Sequence, residues 1–322
     1  MRFFYSALFI LLFFFQSCFS QSKTELAMLI DEKDLIPESI AYHAGSQQYF
    51  VGSLYKQKII AIKDGVVRDF VPAGFKGMGS VCGMKMDESN NILYAVILKT
   101  KYIPVQVPQD VSWYTAVVAY DVYSGQLLHE YAAKDSALFN DLVVAGNGNI
   151  YVTDPIGGAV YELNPKTGRI HQFTPTKTFI GPNGITVYNN DLFIAHAEGI
   201  TKMSISSGQK QLLSFQQSTD TIAGIDGLYF YQNTLIGIQN TVFPKRILRM
   251  QLNASMDKVD AIQVLDSSSL PIRKYSPTTG TVVGSDFYFI ENAQVRAFDK
   301  KGIIFPMEDL DPVRIKKIKL RN

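Results

Sequence analysis

The chain has 322 residues, 47% of them hydrophobic and 19% charged, with 21 Phe, 17 Tyr and a formal net charge of +2. This balance excludes a disordered chain and leaves no electrostatic footprint for nucleic acid, while the aromatic surplus favours strands. The length would accommodate two ordinary domains, but a repeat array reaches it as one.

Residues 1–20 differ from the rest. Arg2 supplies a positive charge, and Phe3 to Phe15 is almost wholly apolar. Such a stretch, shorter than the roughly 20 residues needed to span a bilayer, predicts a secretory signal peptide. Cleavage is expected after Ser20, giving an exported protein, periplasmic or secreted, with no transmembrane segment. The alternative makes Cys18 a lipoprotein cysteine, although Phe15-Gln16-Ser17 before it matches that signal poorly. Loss of the leader leaves Cys82 as the sole cysteine. An exported chain with one cysteine has no internal disulfide, so packing must supply its stability.

Beyond the leader one pattern recurs six times: a small or polar residue, then a hydrophobic run. The six residues are Glu38, Cys82, Asn140, Asn183, Asp226 and Thr279, and the steps from Asn140 to Asn183 and from Asn183 to Asp226 are both 43 residues. A period of about 40 to 50 residues is the mark of a β-propeller, whose four-stranded blades bury their faces only on one another. The prediction is an all-β, six-bladed propeller with antiparallel blades over roughly 36–74, 78–133, 137–175, 179–217, 222–267 and 276–320. Turn signals such as Gly146-Asn147-Gly148-Asn149 and Asn189-Asn190-Asp191 separate the first and second strands of a blade. Thr24 to Ile30 could pair with the last blade as a closing strand. An insert over 99–115, carrying the sole tryptophan, Trp113, interrupts blade two and reads either as a lid or as a loop packed on the next blade. The basic end, Arg314 to Arg321, alternates as a solvated edge strand would.

In a propeller the first strand of each blade lines the central channel, so residues at its start converge from distant parts of the sequence. Glu38, Asn140, Asn183 and Asp226 would together offer two carboxylates and two amide carbonyls, a hard-oxygen set suited to a divalent metal, above all Ca²⁺. Asn-Gly and Asp-Gly pairs are also common turn formers, and each alone would read as a turn. The four histidines have no zinc-ligand spacing. Asp141 reads as a loop hydrogen-bonding residue, and Cys82 and Thr279 as channel-lining positions that could meet a substrate. Loops after the second strands add Asp154, His196, Glu198, Asn240 and Glu291 on the same face. Among them His196 is a candidate base, since its ordinary pKa lies near neutrality. No Gly-x-Ser-x-Gly elbow is present.

Pro37-Glu38, Phe139-Asn140-Asp141, Pro182-Asn183-Gly184-Ile185 and Asp226-Gly227-Leu228 resemble, in order and at blade spacing, the signature positions of the senescence marker protein/gluconolactonase/luciferin-regenerating-enzyme family. The resemblance covers essentially the whole mature chain. It implies a divalent ion held by Glu38, Asn183 and Asp226, with Asn140 binding metal or substrate and Asp226 doubling as catalytic base, and it implies hydrolysis of a sugar lactone or related ester. One departure bears on the substrate. Where sugar-lactonase members carry an arginine that holds substrate hydroxyls, this chain has Leu138. A buried hydroxyl left unpaired costs roughly 1 to 3 kcal/mol, so a lactone or ester less polar than a sugar lactone is expected, with Leu138 and Trp113 beside it. The alternative is an exported propeller that binds a small molecule or protein without catalysis, the metal being structural.

Overall fold

A computed structural model describes residues 24–99, 114–133, 137–215, 220–271, 275–299 and 303–320. The leader with Cys18, and most of the blade-two insert with Trp113, lie outside the described residues. The strands form six four-stranded antiparallel sheets, the blades of a six-bladed propeller. The only helical elements among the described residues are two 3-10 turns, Lys33–Leu35 and Met307–Asp309. None is long and apolar enough to cross a membrane.

The first five blades each run in chain order, over 37–71, 80–132, 142–172, 185–212 and 225–268. The sixth is assembled from both ends of the chain. Gly280–Val283 is innermost, then Asp286–Ile290, then Val313–Lys319, and the N-terminal strand Glu25–Ile30 pairs antiparallel with Val313–Lys319. The basic C-terminal stretch is therefore not an edge strand. It is the third of four, with Val313, Ile315 and Ile318 buried and the half-buried Arg314 and Lys316 paired with Glu291.

The buried apolar residues fall into six clusters that follow the interfaces between blades. This explains why the second strands read as unbroken hydrophobic runs. Alternate side chains of a strand face opposite sides of its sheet, and here both sides are covered. Ile150 and Val152 go to the seam between blades two and three, and Tyr151 between them goes to the seam between blades three and four. Leu192 and Ile194 divide from Phe193 in the same way one blade on. The fourth strand of blade four, Lys210–Leu212, is exposed.

The connection over 291–312, between the second and third strands of blade six, is far longer than a tight turn. It leans over blade one: the Phe298 ring lies 5.7 Å from that of Tyr55, and the Lys33 ammonium donates to the Met307 carbonyl at 3.1 Å. Its Val295, Phe298, Ile304 and Phe305 join the cluster that also takes in Tyr55, Cys82 and Leu138.

Candidate active site at the channel mouth

The six repeated residues occupy irregular backbone rather than turns. In blades one, two and five the pairing register slips by one residue between Pro37 and Ser39, between Val81 and Met84, and between Ile225 and Leu228. Glu38, Cys82 and Asp226 therefore sit in β-bulges. Just before the first strands of blades three and four the same device recurs. Thr153 accepts the amide of Asn140 and donates its own to Asp141, and Ala195 does likewise with Asn183 and Gly184. A bulge bends its strand and re-aims a side chain, which turns these residues toward the channel. Asp226 and Gly227 lie within the strand Ile225–Tyr231 and form no turn.

The glycine after most of these residues has a packing cause. A Cβ built on Gly184 would lie 2.2 Å from the Asp226 carbonyl oxygen, and one on Gly83 would lie 2.7 Å from the Asp141 Cα. The backbones of neighbouring blades meet at this ring, and the Gly83 amide donates to the Asn140 carbonyl at 2.8 Å. In the sixth blade Thr279 uses its hydroxyl, donating to the Glu38 carbonyl at 2.8 Å, with Thr278 adding a second donor at 3.2 Å. Two residues before Glu38 stands Ile36, a β-branched residue held in left-handed conformation at φ 46°. Strain of that kind persists only where surrounding structure fixes it.

The electrostatics of the ring are unbalanced. Glu38, Asp141 and Asp226 lie close enough for each carboxylate to feel the others, and burial pushes all three pKa values up. For Glu38 the charges of Asp226 and Asp141 add to burial, raising it well above the usual range. Burial carries Asp226 to about 7, with hydrogen bonds from Asn240 and Asn183 opposing and the charge of Asp141 adding to the rise. Asp141 is eased by the Lys85 ammonium at 3.8 Å and by the amides of Leu142 and Ile185. Lys85 also sits 4.6 Å over the ring of Tyr229, whose hydroxyl accepts the Gly280 amide at 2.7 Å.

Two oxygens in this ring are buried without a donor, Glu38 Oε2 and Asn183 Oδ1. Each such orphan costs about 1 to 3 kcal/mol. Among the described residues no three His, Cys, Asp or Glu side chains converge as a metal site by themselves. What the ring offers is two carboxylates and an amide carbonyl, Glu38, Asp226 and Asn183, with a surplus of negative charge. Hard oxygens, two of them unpaired, fit a divalent cation of the calcium type.

Other expected site residues fall differently. Asn140 is half-buried, and it is its neighbour Asp141 that joins the ring of interacting acids. Cys82 is buried, and burial with the nearby acids pushes its thiol up, so it is no thiolate nucleophile. Leu138 is half-buried on the apolar cluster below the 291–312 connection, and its amide donates to Asp154 at 3.2 Å. His196 is buried beside Phe179, with Nε2 2.8 Å from the Thr201 hydroxyl and Nδ1 accepting the Glu198 amide. Its partners lie within blade four and its approach, and burial lowers its pKa. Of the second-strand loop residues, Asn240 alone among the described contacts touches the ring, donating to Asp226 at 2.5 Å and to the Pro277 carbonyl at 2.9 Å. Asp154 caps its own turn, and Glu291 pairs with Arg314 and Lys316.

Lys85 and Tyr229 were not anticipated. The signal was available, for each stands three residues after a repeated position, in strands otherwise apolar at that depth.

No family model matches the chain, and a search of curated proteins finds no match. Among solved structures it is similar to a gluconolactonase from Xanthomonas campestris, 15% identical with a TM-score of 0.59, over 88% of this chain and 86% of that one. It is similar to the major allergen Mala s 1 of Malassezia sympodialis, 14% identical with a TM-score of 0.68, over 91% and 94% of the two chains. A PQQ-bound aldose sugar dehydrogenase from Streptomyces coelicolor is 12% identical, with a TM-score of 0.58 and 92% and 98% covered. At these identities the likeness establishes the propeller fold, and the chemistry has to be argued from the side chains.

Proposed function

We propose that the channel mouth is the active site of a metal-dependent hydrolase acting on a lactone or related ester less polar than a sugar lactone. The observation that carries this reading is the pair of buried, unpartnered oxygens on Glu38 and Asn183 beside Asp226. Glu38, Asn183 and Asp226 would hold a divalent cation, most suitably Ca²⁺, with Asn140 at the same rim. Bound there, such an ion polarises an ester carbonyl and offsets negative charge developing on its oxygen.

The residues of the chain supply the rest. Asp226 is oriented by Asn240 and Asn183, and it takes the proton of the attacking water. The water oxygen bonds to the carbonyl carbon, the ring C–O bond breaks, and the proton returns to the leaving oxygen, giving a hydroxy acid. Lys85 offsets part of the charge of Asp141, the third acid beside the site. The apolar wall of Tyr55, Leu138, Val295 and Phe298 favours a substrate body with few hydroxyls. The apolar stretch Phe3 to Phe15 supports an exported setting for this activity, periplasmic or secreted.

The test is turnover of a panel of lactones and aryl esters by the mature protein, with calcium and after chelation, beside Asp226→Ala. Calcium-dependent hydrolysis that the variant lacks supports the hydrolase. Absence of turnover on every member, with calcium still raising thermal stability, would replace it with a binding propeller.

A further inference from the structure

Beside the acid ring, between blades five and six, opens a cleft of about 540 Å³. Its position is fixed by two residues it shares with the ring. Asn240 lines the cleft and donates to the Asp226 carboxylate, and Thr278 lines it and donates to the Glu38 carbonyl. Part of its lining is apolar, formed by Val242, Phe243, Leu270 and Val295. The same lining holds two cations, Lys245 and Arg296, the latter carried by the 291–312 connection.

These cations face one another rather than an acid. Lys245 is 7% exposed, and its ammonium donates to the Tyr275 carbonyl at 2.7 Å. Burial and the charge of Arg296 hold it below its usual range. The neighbouring acids are committed elsewhere: Glu291 to Arg314 and Lys316, Asp220 to Arg246, and Asp266 to the Tyr275 and Thr24 hydroxyls. Two like charges sharing one cleft without a carboxylate between them repel. An anion placed between them removes the conflict and gains charge-assisted hydrogen bonds from both.

We propose that this cleft is the arm of the site that receives an anionic group of the substrate, a carboxylate on an apolar body, with Arg296 and Lys245 as its cationic wall. The inference rests on the hydrolase reading for what happens at the ester, but not for the binding itself. In its terms the substrate carries its reacting ester at the acid ring and its carboxylate a cleft's length away. The apolar stretch between them lies on Val242 and Val295.

The experiment is calorimetric titration of the chelated, mature protein with 4-phenylbutyrate and with its neutral amide. Chelation ensures that no metal at the ring can bind the carboxylate. The acid is expected to bind at least about tenfold tighter than the amide, a preference that shrinks with added salt. Arg296→Gln should abolish the preference, and Arg296→Lys should retain part of it. Arg296 is exposed, so neither variant threatens the fold. Equal binding of acid and amide, or an undiminished preference in Arg296→Gln, overturns the proposal. Lactone turnover measured alongside separates the two readings. Acid-selective binding without turnover leaves the cleft standing and removes the hydrolase, whereas turnover without acid-selective binding does the reverse.

Discussion

Glu38 and Glu291 are both partly or wholly buried glutamates near the same end of the propeller, and their surroundings are opposite. Glu291 has Arg314 on one oxygen and Lys316 on the other at 2.5 Å, and its charge is cancelled within the protein. Glu38 has one oxygen without a donor and two further acids for neighbours. A carboxylate satisfied by its own chain is a structural device, whereas one left in conflict needs a cation from outside or must keep its proton. The contrast assigns Glu291 to the scaffold and Glu38 to the site, though nothing in the local sequence of either separates them.

The largest effect expected is on chemistry. Asp226→Ala and Glu38→Gln should each lower calcium-dependent turnover by about a thousandfold or more, while Glu291→Gln should leave turnover per folded molecule unchanged. Equal losses from all three, measured as kcat on folded protein, would erase the distinction. Stability should divide them in the opposite sense. Glu291→Gln strands two cations and should cost about 1 to 3 kcal/mol by chemical denaturation. Glu38→Gln removes a buried acid from a field of acids, and should stabilise the chelated protein at pH 8.

pH sharpens the same comparison. Glu38 and Asp226 are both raised, Asp226 from 3.8 to about 7, so between those values the native state binds more protons than the unfolded chain. Stability changes with pH as the difference in protons bound, unfolded minus native, and here that difference is negative. The stabilising protons are fully present below about pH 4, and the chelated protein should lose stability as pH rises toward 7. A bound cation replaces those protons. Calcium should therefore raise Tm more at pH 8 than at pH 5, and Glu38→Gln should flatten both trends. A calcium shift that is the same at both pH values would argue that the ion binds elsewhere.

A smaller effect tests the ring of backbones rather than its charges. Gly184→Ala places a methyl against the Asp226 carbonyl and the Leu228 amide, main-chain atoms that cannot swing aside, and should cost about 1 to 3 kcal/mol. That glycine also marks how far the sequence could be read. The repeat spacing and the doubly buried second strands made six blades legible, because both follow from stacking alone. The convergence of Glu38, Asn183 and Asp226 was legible for the same reason. The bulges were not, since Asn-Gly and Asp-Gly look the same in a turn and in a bulge, and only the next blade's backbone tells them apart. His196 looked like a base because a sequence does not show that Thr201 and the Glu198 amide occupy its ring nitrogens. Arg296 and Lys245 were invisible, since they meet only when the start of the 291–312 connection comes beside the Lys245 end of blade five.

Leu138→Arg should produce the smallest change and bears on the substrate. Leu138 packs on the apolar cluster that includes Tyr55 and Phe298, and its amide is already held by Asp154. An arginine there would bring donors for sugar hydroxyls, but it would lose apolar packing, and Asp154 would compete for the new guanidinium. The ratio of kcat/KM for a sugar lactone over an alkyl lactone should rise, by about tenfold at most, mainly through loss on the alkyl substrate. If the ratio stays fixed while both substrates are turned over, the side chain at 138 does not meet the substrate, and the apolar wall must be sought in Val295 and Phe298 instead. If the ratio falls, the wall selects hydroxyls in some other way, and the preference for a less polar ring is wrong.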